Sequence, residues 1–106
     1  MKLVNASTGV DVSGGSVSVN MAGGSPGNFV YATLASPVTL SANAIYFLVS
    51  METQGGDQWY DHNTTVRTTN VATDTNSVWS PDGTTFNQLG PADQMYVPIS
   101  FVYLLP

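Results

Sequence analysis

The residues best equipped for chemistry are gathered in one stretch, Glu52 to Asn63, which reads Glu-Thr-Gln-Gly-Gly-Asp-Gln-Trp-Tyr-Asp-His-Asn. It holds three acids, Glu52, Asp57 and Asp61, and the chain's single histidine, His62. Acyl transfer needs a serine activated by a histidine and presented on a strand–turn–helix elbow. The Gly23–Gly27 stretch reads as a loop, and no helical pattern follows it. Glycoside hydrolysis needs two carboxylates across a cleft, one of them held protonated. Glu52, Asp57 and Asp61 are the candidate set, but a chain of 106 residues leaves little room for a cleft around a buried acid. A transition-metal site needs more imidazole or thiolate than one histidine and no cysteine provide. Calcium takes loop oxygens instead, so Asp57 and Asp61, with Asn63, are weak candidates for a structural calcium. Asp74 with Asn76 is a second set; neither has EF-hand spacing, and Asp and Asn also favour turns. No catalytic residue and no required cofactor is expected.

The same stretch suits recognition better than catalysis. A sugar ring presents an apolar C–H face and a rim of hydroxyls. Trp59 and Tyr60 offer a broad ring with a polar handle, and Asp57, Gln58, Asp61 and His62 offer in-plane donors and acceptors for the rim. On a strand, Trp59 and Asp61 share one face while Gln58, Tyr60 and His62 share the other, so either ring can be the one packed inside. Trp79 is a second platform candidate. It precedes the Pro81-Asp82-Gly83 turn, where a large ring is hard to bury, and Phe86 across the hairpin is its expected neighbour. Tyr96 is a weaker third. Phe29, Tyr31, Tyr46, Phe47, Phe101 and Tyr103 lie in strongly patterned runs and are expected in the core.

The elements that must position these groups are strands. Lys2–Ala6 and Val10–Val12 are short apolar runs separated by Ser7-Thr8-Gly9, and Gly14-Gly15 breaks the chain again. Ser16–Met21 alternates, with Val17, Val19 and Met21 on one face. Phe29–Leu34, Val38–Leu40, Ile45–Thr53, Thr64–Asn70 and Met95–Leu105 are further strands. Ile45–Thr53 is apolar on both faces, which predicts a central position, and Pro98 predicts an edge. Ser77–Ser80 and Thr84–Gln88 flank a three-residue hairpin loop. No run carries a 3.6-residue stripe. The expected fold is an all-β antiparallel sandwich, jelly-roll-like, with residues 1–106 as one domain, for which two alternatives stand open: one or two native N-terminal strands are missing, or the domain begins here.

Composition narrows the partners. Charged residues make up only 8%, and Lys2 and Arg67 are the only cations in a chain of net charge −5. Two cations cannot displace the counterions of a nucleic acid or hold an anionic membrane surface, so neither is an expected partner. No apolar run reaches the length of a membrane span, and Met1-Lys2 runs into Leu3-Val4 without the apolar core of a signal peptide.

Several short segments carry a family resemblance: Lys2-Leu-Val-Asn-Ala-Ser-Thr-Gly, Phe29-Val-Tyr-Ala-Thr-Leu, Pro37-Val-Thr-Leu-Ser-Ala-Asn, Tyr46-Phe-Leu-Val-Ser and Gly55-Gly-Asp-Gln-Trp-Tyr-Asp. With these the chain resembles the β-sandwich modules appended to bacterial endo-β-glucanases, grouped as carbohydrate-binding module family 81. The resemblance implies non-catalytic binding of a β-glucan chain of the plant cell wall, such as a cellooligosaccharide, mixed-linkage glucan or xyloglucan. It also implies a covalently attached catalytic domain and a secreted bacterial protein. The competing expectation is a structural or adhesive sandwich of a bacterial surface protein, with Trp59 and Trp79 both buried.

Overall fold

In a computed structural model, residues 1–25, 27–51, 66–90 and 99–105 are described. Among them the secondary structure is all β, with no helix and two small antiparallel sheets. The chain divides into two compact units, Met1–Met51 with Ile99–Pro106, and Glu52–Pro98.

The first unit is built on β1 (Lys2–Asn5), β2 (Asp11–Ser16) and β3 (Tyr46–Val49), in the order β2-β1-β3. Local chemistry makes the β1–β2 turn. Asn5 Oδ1 accepts from the Ser7 and Thr8 amides at 2.9 and 3.2 Å, an Asx-type closure. Gly9, at φ 68°, takes the left-handed conformation that glycine adopts without cost. The Gly9 amide then donates to Asn5 O at 2.8 Å, and the Asn5 amide to Val10 O at 2.9 Å. The expected turn at Ser7-Thr8-Gly9 is therefore present.

β2 corrects the expected break at Gly14-Gly15. The strand runs through both glycines, and its register against β1 shifts between Lys2↔Ser16 and Val4↔Asp11. That irregularity needs extra residues on β2, and Gly14 at φ 74° absorbs the kink as glycine does in a bulge. Gly15 is buried where a Cβ would stand 3.0 Å from Val12 O and 3.2 Å from Leu3 Cβ. The glycines are thus a device within the strand.

β3 pairs with β1 from Lys2↔Val49 to Asn5↔Tyr46. Its position in the run Ile45–Thr53 agrees with expectation, but the middle place in this sheet belongs to β1. Val4, facing Phe47 in register, is fully buried, and it is the single buried hydrophobic side chain among the described residues. The turn that delivers β3 is local as well: Asn43 adopts φ 58°, a left-handed conformation that Asn tolerates better than most residues. The Ser41 amide donates to Tyr46 Oη at 3.0 Å.

Other expected strands are not formed among the described residues. Described residues 17–21, 29–34, 38–40, 66–70 and 99–105 carry no strand. Alternation makes one face suitable for burial, but a strand also needs a neighbour to take its backbone hydrogen bonds. The rings expected in the core follow the same correction. Phe29, Tyr31, Phe101 and Tyr103 are exposed, whereas Tyr46 and Phe47 on β3 are half-buried.

The second unit contains β4 (Ser77–Trp79) and β5 (Asn87–Leu89), paired antiparallel. The strand expected from Thr84 begins instead at Asn87, so residues 80–86 connect the pair. The expected three-residue loop is replaced by a longer one built on the Asp82 carboxylate.

Candidate functional site

Trp79 is the predicted platform residue that the structure describes. It ends β4 with half of its surface, 51%, open to solvent. Its cross-strand partner is Asn87, and Phe86 lies one residue outside the ladder. Residues opposite each other in an antiparallel pair point to the same face, so the indole and the Asn87 amide share one. By alternation Ser77 and Leu89, themselves paired, lie on that face too. The arrangement joins an open aromatic ring to an exposed amide that can both donate and accept.

The loop that holds this hairpin is a hydrogen-bonded knot around Asp82. Its Oδ1 accepts from the Thr85 amide at 2.7 Å and the Thr84 amide at 2.8 Å, and its Oδ2 accepts from Thr85 Oγ1 at 2.9 Å. Ser80 Oγ donates to Asp82 Oδ1 at 3.2 Å and accepts from the Gly83 amide at 2.8 Å. The Thr85 backbone N–H, then that of Thr84, then the Thr85 hydroxyl hold the Asp82 carboxyl well below the usual carboxylate range. Gly83 supplies φ 76° at the turn. From the far end of the hairpin, Asn76 Nδ2 donates to Gly90 O at 3.2 Å. Trp79 is thus mounted on a short ladder whose two ends are both tied.

Asn87 was not singled out by sequence reasoning. The signal would have been register: reading Pro81-Asp82-Gly83 as the entire loop places the wrong residue opposite Trp79. The other predicted site residues, Asp57, Gln58, Trp59, Tyr60, Asp61 and His62, lie outside the described residues, as do Asn63 and Tyr96. Of the second calcium set, Asn76 is engaged with Gly90. Among the described residues no group of three or more His, Asp or Glu side chains is placed to hold a metal ion. Nor, among them, is any helix long and apolar enough to cross a membrane.

Gly23-Gly24-Ser25-Pro26-Gly27 carries the letters of a nucleophile elbow. An open cavity of about 300 Å³ borders it, lined by Met21, Gly24, Ser25, Gly27, Asn28 and Val30. The described residues around it form a turn, with the Asn28 amide donating to Ser25 O at 3.1 Å and no helix after it. An elbow takes its geometry from strand and helix, and the described residues on either side of Pro26 form neither.

The first unit differs from the second in its charge. Lys2 and Asp11 are the only Lys, Arg, Asp or Glu residues in 1–51 and 99–106. They pair with each other, Lys2 Nζ to Asp11 Oδ1 at 2.7 Å. On this neutral unit Phe29 and Tyr31 lie 6.2 Å apart between ring centroids, and Phe101 and Tyr103 lie 5.9 Å apart. Both pairs are tilted, at 43° and 46°.

No protein-family model matches the chain, and no curated protein or solved structure matches it either.

Proposed function

We propose that the chain is a non-catalytic carbohydrate-binding module whose strands belong to a jelly-roll-like β-sandwich. Its ligand is a neutral β-glucan chain, and its task is to hold a covalently attached, secreted glycoside hydrolase at plant cell-wall polysaccharide. The observation that supports this reading is Trp79, half open to solvent and standing opposite Asn87 on a tied hairpin. A ring carried on a tied backbone stacks on a sugar face at a lower ordering cost than one on a free loop, and the amide beside it can pair with a ring hydroxyl. Low charge supports a neutral ligand over an ionic one. The adhesive reading needs Trp79 buried, which its exposure disfavours. Trp59, Tyr60, Asp57, Gln58, Asp61 and His62 remain the proposed partners from the polar-aromatic stretch, with Asp57 and Asp61 as the calcium candidates.

The test is affinity electrophoresis in gels containing xyloglucan, barley β-glucan, carboxymethylcellulose or xylan. Retardation by at least one β-glucan is expected, and Trp79→Ala should weaken it roughly tenfold, in line with the stacking of nucleobases on aromatic rings. A folded chain that none of these gels retards sinks the proposal. A thermal scan with and without chelator addresses calcium, because a ligand of the native state raises apparent stability.

A further inference from the structure

The connection between β4 and β5 makes two demands on adjacent positions. It needs a carboxylate at position 82 to accept from the Thr84 and Thr85 amides at 2.8 and 2.7 Å, and directly after it a residue at φ 76°. Glycine meets the second demand without strain. A Cβ added at Gly83 would meet nothing within 4 Å, so backbone conformation and not crowding selects it. The outcome is an Asp-Gly pair, which is chemically vulnerable. With no side chain on the second residue, its amide nitrogen approaches the aspartyl Cγ unhindered.

We propose that Asp82-Gly83 is a site of spontaneous isomerisation to isoaspartate, held shut by the hydrogen bonds of its own loop and opened when the hairpin unfolds. In this reaction the Gly83 nitrogen bonds to Asp82 Cγ, and a Cγ–O bond of the carboxylic acid breaks. The oxygen leaves as water, carrying the acid's proton and the amide proton, and a cyclic imide closes. One water then opens the imide. Addition at Cγ restores aspartate, whereas addition at the Asp82 main-chain carbonyl leaves the chain running through Cβ and Cγ. Water is released once and taken up once, so the mass is unchanged and no oxidant or cofactor takes part.

The loop opposes each step. The Gly83 N–H is committed to Ser80 Oγ at 2.8 Å, which retains the proton that the attacking nitrogen must lose. Asp82 Oδ1 accepts from the Thr84 and Thr85 amides and Ser80 Oγ, and Oδ2 accepts from Thr85 Oγ1 at 2.9 Å. Any rotation of the carboxyl toward ring closure breaks those bonds. The same donors favour the ionised carboxylate, while the oxygen departs from the acid form. Asp82 is exposed, so water reaches it freely and the protection comes from geometry rather than burial. Isoaspartate adds a methylene to the main chain and leaves the carboxyl directly on Cα. A chain that isomerises while unfolded therefore refolds without the Asp82 knot.

The experiment incubates the full chain in mildly acidic buffer, folded and in guanidinium, and follows isoaspartate at position 82 by peptide mapping with electron-transfer fragmentation. The folded chain should accumulate it roughly tenfold more slowly, since several hydrogen bonds must open together. Ser80→Ala removes the acceptor on the Gly83 amide, and Thr85→Val removes the hydroxyl but keeps the backbone donor. Each should raise the rate in the folded chain roughly fivefold, the factor that one net hydrogen bond contributes, with folding checked by thermal midpoint. Equal rates in the folded and denatured chain overturn the proposal, and so does a denatured chain that forms no isoaspartate. Folded variants that match the unaltered chain also overturn it, because these hydrogen bonds are then not what holds the site shut. Where a variant does not fold, the folded-against-denatured comparison of the unaltered chain decides. The readout is chemical, so it stands apart from the carbohydrate-binding reading.

Discussion

The Tyr31 hydroxyl reaches Ser100 Oγ at 3.1 Å across 69 positions of sequence. The bond links two segments that carry no strand of their own, so a side-chain contact does there what a backbone ladder does between β1 and β3. Tyr31→Phe removes the donor and keeps the ring. Net hydrogen-bond contributions lie near 1 kcal/mol and fall lower where water competes, so a loss of about 0.5 kcal/mol is expected in urea unfolding. An unchanged unfolding midpoint would show that the bond adds nothing to the joining of the two segments.

Val4 occupies the middle of the three-stranded sheet and is fully buried. Val4→Ala removes two methyl groups from that position, with an expected cost of about 2 kcal/mol from lost burial and the residual cavity. Denaturant unfolding measures it. A change of a few tenths would show that other packing, away from Val4, dominates the unit.

Gly14 stands at φ 74° where the β1–β2 register shifts, and an added Cβ there meets Val38 Cγ2 at an ordinary 3.6 Å. Space is therefore available and conformation is the obstacle. Gly14→Ala should cost about 1–2 kcal/mol through the left-handed backbone alone, and Gly14→Asn less, since Asn visits that region more readily. Equal stability of the Ala variant and the unaltered chain would remove the bulge from the account.

Asp82 accepts from the Thr85 and Thr84 amides and the Thr85 hydroxyl, and its carboxyl is depressed below the ordinary value. A depressed folded-state value stabilises the folded loop above the ordinary carboxylate pKa of about 3.9, and that contribution is lost as pH falls through the lower folded value. The carboxyl carbon of Asp82, followed by NMR, should titrate well below its neighbours in unstructured peptides. A midpoint near the ordinary value would contradict the loop geometry. In Asp82→Ala the amides of Thr84 and Thr85 should exchange faster with solvent, while those of β1 keep their protection.

The turn after β1 and the charge balance were legible in the sequence, whereas the break at Gly14-Gly15 and the three-residue loop at Pro81-Asp82-Gly83 were not what formed. Asn5 with Ser7-Thr8-Gly9 and the Ser41–Ala44 turn depend on chemistry spanning a few residues, and so does the placement of strand in Lys2–Asn5, Tyr46–Val49 and Ser77–Trp79. The scarcity of cations, two in a chain of net charge −5, follows from counting side chains, and the expectation of no phosphate-rich partner rests on that count. Tertiary structure decided what local pattern leaves open. Period-two alternation names the residues that share a face, but not whether a neighbouring strand covers it. Phe29, Tyr31, Phe101 and Tyr103 are therefore exposed despite a core-like pattern. Register has the same non-local origin: hydrogen bonds between strands set Asn87 opposite Trp79 and carry β2 through two glycines. Pairing is a relation between distant segments, so its outcome depends on both partners and on the loop that joins them.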